Sequence, residues 1–236
     1  MQLKDNESLE VLFGEKMIIQ NRQLYRFTSD SILLSRFARA KSGDVVADFC
    51  AGCGAVGFHF ACLNPKIKSL TLFELQPSLC DMARRTAEYN GMDAKVVEGR
   101  LQDIPSSYDG AFSLILCNPP YERGGFDNLS YEKAICRKEI TVTLEEIASA
   151  ASKKLKFGGR LAIVNRADRL AEVCYTLKRY NLEVKRLQLV KGTPSAKPYL
   201  LMAEATKGGK PGTEVLPEFV NTQANGGGTL NGNEEL

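Results

Sequence analysis

The stretch Ala111-Phe112-Ser113-Leu114-Ile115-Leu116-Cys117 constrains the chain most, because its side chains are apolar on both faces that a strand presents. A strand of this kind is buried on both sides, which places it in the middle of a sheet covered by helices. From Val45 onward the chain has the matching alternation. Strands are expected at 45–49, 69–74, 94–98, 111–117, 160–164, 182–190 and 199–205. Helices are expected at 54–63, at 77–90 with Pro77 in its first turn and Gly91 closing it, and at 167–180. Another begins at Thr143, where Glu146 completes a capping box, and is expected to end at Gly158-Gly159. Residues 191–198, between the last two strands, are too few for a crossover helix, so those strands must pair antiparallel. The fold expected is α/β: a seven-stranded, mostly parallel, doubly wound sheet with an antiparallel C-terminal hairpin.

Ahead of the sheet, residues 10–13 and 16–20 read as a peripheral hairpin turning at Gly14-Glu15. A helix follows, capped by Thr28 or Ser29 and striped by Ile32, Leu33, Leu34 and Phe37. One domain is expected over 1–210, with the hairpin and helix in 1–43 and the core sheet in 44–206. The segment 211–236, rich in glycine and asparagine, is expected to be disordered. Residues 122–139 are polar, lack periodicity and are long for a connection, as a lid or binding loop would be.

No stretch of eighteen apolar residues suggests a membrane span. The seven cysteines lack the spacing of a disulfide framework, which suits the reducing cytoplasm. Charge is unevenly spread: residues 133–210 carry 17 Lys and Arg against 7 Asp and Glu, whereas the rest carries 14 against 21. A basic segment on an otherwise acidic chain suits docking to a polyanion, and a solvated lysine surface would read the same way.

Two motifs carry chemistry. In the first, Asp48-Phe49-Cys50-Ala51-Gly52-Cys53-Gly54-Ala55-Val56-Gly57 joins the first core strand to its helix. The backbone there must turn tightly and leave N–H groups open, a phosphate or nucleotide-binding arrangement, although glycines that merely permit close packing would look alike. Glu74, 22 residues beyond Gly52, ends the next strand, where an acid can accept both ribose hydroxyls of an adenosine. Asp48 could neutralise an amino group. These features suit NAD as well as S-adenosylmethionine.

The second motif, Asn118-Pro119-Pro120-Tyr121, discriminates. An amine conjugated to a ring is a poor nucleophile until it is held and desolvated. The Asn118 oxygen and the Pro119 carbonyl can each accept one of its hydrogens, while Pro119 and Pro120 hold that carbonyl without a competing donor. Tyr121 offers a face for an extruded base. Asn-Pro and Pro-Pro also occur in ordinary turns, but this pair follows a buried strand in the same sheet as the glycine turn.

In this order the motifs resemble the bacterial family of tRNA1(Val) adenine-N6-methyltransferases. The likeness spans about residues 5–220 and includes Phe27-Thr28-Ser29-Asp30-Ser31-Ile32-Leu33-Leu34, Asp48-x-Cys50-x-Gly52-x-Gly54, Glu74, the Asn118 tetrapeptide and Arg137-x-Glu139 before Thr143-Leu144-Glu145. It also takes in Lys207-Gly208-Gly209-Lys210-Pro211 before Leu216-Pro217. The resemblance implies a Rossmann-like class I methyltransferase, whose antiparallel strand separates it from nicotinamide-binding folds. It implies S-adenosylmethionine held by Asp48, Cys50, Gly52, Gly54 and Glu74. It further implies transfer to adenine N6 in tRNA; Arg137 and Lys138, as cations in the lid, suit phosphate contacts. Two positions depart from the family: Arg100 where an acid is common, and Lys138 where histidine is frequent.

Cys50 and Cys53 form a C-x-x-C, yet no second pair completes a metal site, and His59 has no adjacent nucleophile partner, so neither is assigned chemistry. Methylation of a protein glutamine, ribosomal RNA or DNA stays open, as does a nucleotide- or NAD-binding Rossmann protein. Only some 44 residues precede the first core strand, less than the helical N-terminal domain usual in glutamine methyltransferases.

Overall fold

The computed structural model describes residues 2–24, 27–120 and 142–222. Its central sheet contains β3 (Val45–Phe49), β4 (Ser69–Glu74), β5 (Ala94–Glu98), β6 (Phe112–Cys117), β7 (Leu155–Arg166), β8 (Leu182–Lys191) and β9 (Leu200–Lys207). The spatial order of these seven is β8-β9-β7-β6-β3-β4-β5, with β9 antiparallel to both neighbours and the other pairs parallel. The expected architecture is therefore present. Chain progression moves outward from β3 through β4 to β5, then returns to the other side of β3 at β6. That reversal is a topological switch point, and the crevice beyond the carboxyl ends of β3 and β6 is where ligands bind in open α/β sheets.

The two-sided apolar reading of β6 is met residue by residue. Leu114 and Leu116 enter one core cluster with Val46, Ala162 and Met202, beneath α1 (Ser29–Phe37), α2 (Ala55–Leu63) and α3 (Pro77–Asn90). Phe112, Ile115 and Cys117 enter another with Ala47, Leu161 and Ile163, beneath α4 (Leu144–Lys154) and α5 (Leu170–Arg179). From Leu114 to Cys117 period-two alternation feeds both layers, with Phe112 set apart by the register shift before Leu114, and a leucine or isoleucine buried in this way contributes about 1.5–3 kcal/mol.

Four local expectations change. The hairpin β1 (Glu7–Phe13) and β2 (Lys16–Asn21) is not peripheral: Leu12, Ile18 and Ile19 are buried in the first cluster. Asn90 on α3 exchanges hydrogen bonds with the Met17 backbone at 2.7 and 2.9 Å, and Thr86 accepts from the Ile19 N–H at 3.1 Å. Thr28 occupies the N-cap of α1 without a side-chain cap bond, its carbonyl accepting instead from the Ser31 N–H. The capping box Thr143/Glu146 does form, but α4 stops at Lys154 rather than at the glycines. Leu155 is fully buried and already pairs with Phe112, so Gly158 and Gly159 lie inside β7, at an irregularity in its pairing with β6.

The fourth concerns the C-terminal segment, expected to be disordered from 211. Residues 214–220 form β10 (Glu214–Val215) and β11 (Phe219–Val220), both parallel to β8, and Leu216 and Phe219 pack against the first cluster. Short apolar pieces sufficed because the edge of β8 offered unpaired backbone groups. The rest of that expectation, 223–236, lies outside the described residues, as does the lid at 122–139. Among the described residues no helix is long and apolar enough to cross a membrane.

The basic segment also looks different once folded. Lys154, Arg160, Arg169 and Arg186 are buried. Lys154 Nζ donates to the carbonyls of Ile104 and Pro105 and to Asp109 at 2.5 Å, and Arg160 pairs with Asp44 at 2.7 Å. Part of the positive charge is thus structural rather than available to a polyanion.

Candidate active site

The glycine turn leaves β3 with three residues in left-handed conformation: Cys50 (φ 56°), Gly52 (φ 58°) and Gly54 (φ 92°). A non-glycine residue held there marks a tightly determined loop. The glycines divide in purpose. At Gly54 and Gly57 an added Cβ would lie 2.3 Å from Phe58 and 2.7 Å from Leu72, so both are demanded by packing. Gly52 has open space before its Cα and lines a cavity, and its N–H is held by Glu74 at 2.8 Å.

Glu74 ends β4 beside this turn. Its Oε2 accepts from Gly52 N and its Oε1 from Gln76 N, both at 2.8 Å. A carboxylate has about four lone-pair sites, and with the Leu75 N–H also against it one acceptor position remains on a group whose residue lines the cavity. Burial raises the Glu74 pKa above the ordinary glutamate value, opposed by the N–H donors of Gln76, Gly52 and Leu75.

Asp48 lies elsewhere. It is fully buried behind the turn and does not line the cavity; its Oδ2 accepts from Gly57 N at 2.9 Å. Burial pushes its carboxyl up to about 8, partly opposed by the Gly57 hydrogen bond and reinforced by the charge of Glu74. Its Oδ1 has no hydrogen-bond partner among the described residues, as suits a protonated carboxyl. The expectation that Asp48 meets a ligand's amino group is therefore corrected: the strand turns its side chain under α2, where it ties down the start of that helix.

The cavity measures about 340 Å³, within the lower range of small-molecule sites. Cys50, Gly52 and Glu74 form one wall; Asn118, Pro119 and Pro120 form another, at the end of β6; the first turn of α1 contributes Thr28, Asp30 and Ser31. Arg100 and Gln102 close the side beyond β5, with Gln102 Nε2 donating to Glu146 at 2.7 Å.

Asn118 is half-buried, and its Nδ2 donates to Ser31 Oγ at 3.0 Å. With one amide hydrogen committed to Ser31, the orientation of the side chain is set, and Oδ1 is available as an acceptor. Pro119 and Pro120 contribute no N–H beside it. The geometry thus assembles acceptors on a rigid wall, opposite a glycine turn and an acidic strand end.

Of the sequence-predicted residues, Cys50, Gly52, Glu74, Asn118, Pro119 and Pro120 share one cavity, while Asp48 and Gly54 support it from behind. Tyr121, Arg137 and Lys138 lie outside the described residues. Ser31, Asp30 and Gln102 went unread as site residues. Ser31 and Asp30 stood in the stretch Phe27–Leu34, and nothing local to a helix start reveals that it will face the end of a strand 87 residues away. His59 is a packed group: its Nδ1 bonds Ser35 Oγ at 2.7 Å, Phe13 packs edge-on at 5.5 Å, and burial lowers its pKa to about 4. No cluster of metal-ligating side chains occurs among the described residues.

Comparison with known proteins agrees with this geometry. The family model "Methyltransferase small domain" matches residues 28–185. The tRNA1(Val) (adenine(37)-N6)-methyltransferase of Porphyromonas gingivalis W83 is 26% identical over 188 residues, covering 76% of this chain and 73% of its own. Ribosomal RNA small subunit methyltransferase C of Serratia proteamaculans is 30% identical over 137 residues, covering 58% of this chain and 35% of its own. Among solved structures, a predicted O-methyltransferase from Agrobacterium tumefaciens superimposes with a TM-score of 0.65 at 20% identity, covering 80% of this chain and 86% of its own. The fold, the crevice at the switch point and the family match coincide, and the cofactor expected from the sequence, S-adenosylmethionine, is the one a methyltransferase of this kind uses. The chain belongs to the methyltransferase small domain family.

Proposed function

We propose that the protein methylates N6 of an adenine in RNA, with tRNA as the substrate. The observation that carries this reading is the cavity-lining Asn118 amide, whose Nδ2 is taken up by Ser31, leaving Oδ1 as its acceptor, beside two prolines that line the same cavity. An acceptor oriented in this way, next to the Pro119 carbonyl, suits an amine with two hydrogens and a delocalised lone pair. Accepting both hydrogens draws the nitrogen toward a tetrahedral form and directs its lone pair.

S-adenosylmethionine, when bound, supplies an electrophilic sulfonium methyl group. The cavity fits its adenosine portion: Glu74 retains an acceptor position for a ribose hydroxyl, and Gly52 lets backbone approach closely. Asp30, the cavity-lining acid of α1, replaces Asp48 as the candidate for the methionine ammonium. Transfer would exchange the S–CH3 bond for an N–CH3 bond, leaving S-adenosylhomocysteine, and the nitrogen so alkylated would be acidic enough to release its proton to water without a strong base. Asn118 and Pro119 hold the amine, Ser31 holds Asn118, and the prolines exclude a competing donor.

tRNA is favoured by the Porphyromonas gingivalis relative, which spans most of both chains. The ribosomal RNA methyltransferase that is 30% identical over a shorter stretch keeps ribosomal RNA as the second reading. Arg137 and Lys138 are proposed phosphate contacts. The test is incubation with S-adenosylmethionine and either unmodified total tRNA or ribosomal subunits, followed by nucleoside mass spectrometry. N6-methyladenosine in the tRNA arm, absent with Asn118→Ala, is expected. The same product formed undiminished by Asn118→Ala would refute the mechanism, and product only in ribosomal RNA would reassign the substrate.

A further inference from the structure

The strap that runs along β8 ends in a polar residue that is more buried than the strap itself. Val215 is 71% exposed, and Phe219 and Val220 are half-buried, yet Asn221 is only 2% exposed. Hydrophobic burial cannot explain an amide in that place, since burying one without partners is unfavourable. The partners are specific. The Asn221 N–H donates to Lys191 O at 2.7 Å, and its Nδ2 lies 3.1 Å from the Tyr199 hydroxyl and 3.2 Å from Ser29 Oγ.

Ser29 opens α1, the helix whose first turn lines the cavity through Asp30 and Ser31. The strap reaches it for a topological reason. β8 is antiparallel to β9, which is antiparallel to β7, so β8 points toward the same edge as β6. A segment parallel to β8 therefore emerges at the cavity edge. The Lys191–Glu218 ion pair at 2.5 Å and the Leu216 N–H to Leu187 O bond at 2.8 Å secure its course.

We infer that Asn221 is a positioning residue of the cavity, holding the first turn of α1 through Ser29 so that Ser31 meets Asn118 and the α1 wall meets the cofactor. This rests on the methyl-transfer reading of the cavity. It assigns the segment after the core sheet a part in the site rather than the role of a trailing end. A nine-residue helix moves nearly as a rigid body, so loosening its first turn displaces Asp30 and Ser31 together.

The test uses the full chain with Asn221→Ala, Asn221→Leu, Ser29→Ala and the double variant Ser29→Ala/Asn221→Ala. S-adenosylhomocysteine affinity is measured by calorimetry. Each single variant is expected to bind it about fivefold more weakly, the size of one lost neutral hydrogen bond. Asn221→Leu keeps the volume and removes both donor and acceptor, so it should match Asn221→Ala. Because both residues act through one contact, the double variant should lose no more than the weaker-binding single. In the tRNA assay the kcat should fall while the KM for tRNA holds. Unchanged affinity in the single variants, a wild-type Asn221→Leu, or fully additive losses would overturn the inference. Parent protein that fails to bind S-adenosylhomocysteine would instead count against the proposed cofactor site, which separates the two failures.

Discussion

The two ends of α1 are both lined with buried polar groups, but they treat them in opposite ways. At its carboxyl end, Asp44 accepts from Arg160 at 2.7 Å, Ser113 at 2.7 Å and the Lys41 N–H at 2.7 Å. Arg160 also donates to the Arg39 carbonyl, and Arg186 packs on the Phe37 ring at 4.7 Å with Glu204 3.6 Å away. Here charges meet charges, and the helix is fastened to β6, β7, β8 and β9. At the amino end Ser29 is closed off by Asn221, but the groups that line the cavity are not. Asn118 gives one hydrogen to Ser31 and keeps its oxygen, and Glu74 across the cavity keeps an acceptor position. Buried polar groups that satisfy each other make a joint, whereas those left with spare capacity toward a cavity make a binding site.

Breaking the joint should have the largest effect. Arg160→Ala leaves Asp44 buried without its cation, and is expected to lower unfolding stability by about 3–5 kcal/mol in denaturant titration. Methyl transfer per folded molecule should be little changed, and a variant as stable as the parent would show that the pair is not structural. Breaking the site comes next. Asn118→Ala should reduce methyl transfer by roughly 10²–10³, as loss of one oriented polar group at a reacting atom does, while S-adenosylhomocysteine binding and melting temperature stay near the parent values.

A third experiment contrasts two aspartates four residues apart. Asp44 has Arg160, whereas Asp48 has no cation and its carboxyl is raised to about 8 from 3.8. Between those values the native state keeps a proton that the unfolded chain has released. Stability from this group is therefore full below about pH 4 and is lost as pH rises through about 8, with a slope of at most about 1.4 kcal/mol per pH unit. Asp48→Asn should flatten that decline, measured as unfolding free energy against pH relative to the parent; identical slopes would mean Asp48 is ionised in the fold. The smallest expected effect is at Ser31. Ser31→Ala frees the Asn118 amide to rotate and should reduce kcat by about tenfold or less, with the KM for tRNA unmoved. A loss confined to KM would place Ser31 in substrate binding instead.

Much of the fold was legible because its signals are local. Pro77 and Gly91 bound α3, Thr143 and Glu146 start α4, and the two-faced run of β6 announces a central parallel strand. Where a local signal competed with a distant partner, the partner won. Gly158-Gly159 read as a helix stop until Leu155 found Phe112, and 211–222 read as disordered until the edge of β8 took it up. The charge count of 133–210 misled in the same way, because sequence counts a lysine equally whether it meets solvent or, like Lys154, three oxygens in the interior.

By itself the sequence determined the reaction's outline: a glycine turn after one strand, an acid ending the next, and Asn118-Pro119-Pro120 after a third, all at the carboxyl ends of strands and so bound to meet at one edge. Only the tertiary structure decided which of those groups face the cavity. Asp48 and Gly54 satisfied the motif yet turn inward, while Ser31, given no role by its motif, and Asn221, in no motif, took up the Asn118 amide and the first turn of α1. The physical reason is that a motif specifies backbone placement along one strand. The direction of a side chain's remaining hydrogen bonds is set by whatever distant element packs against it.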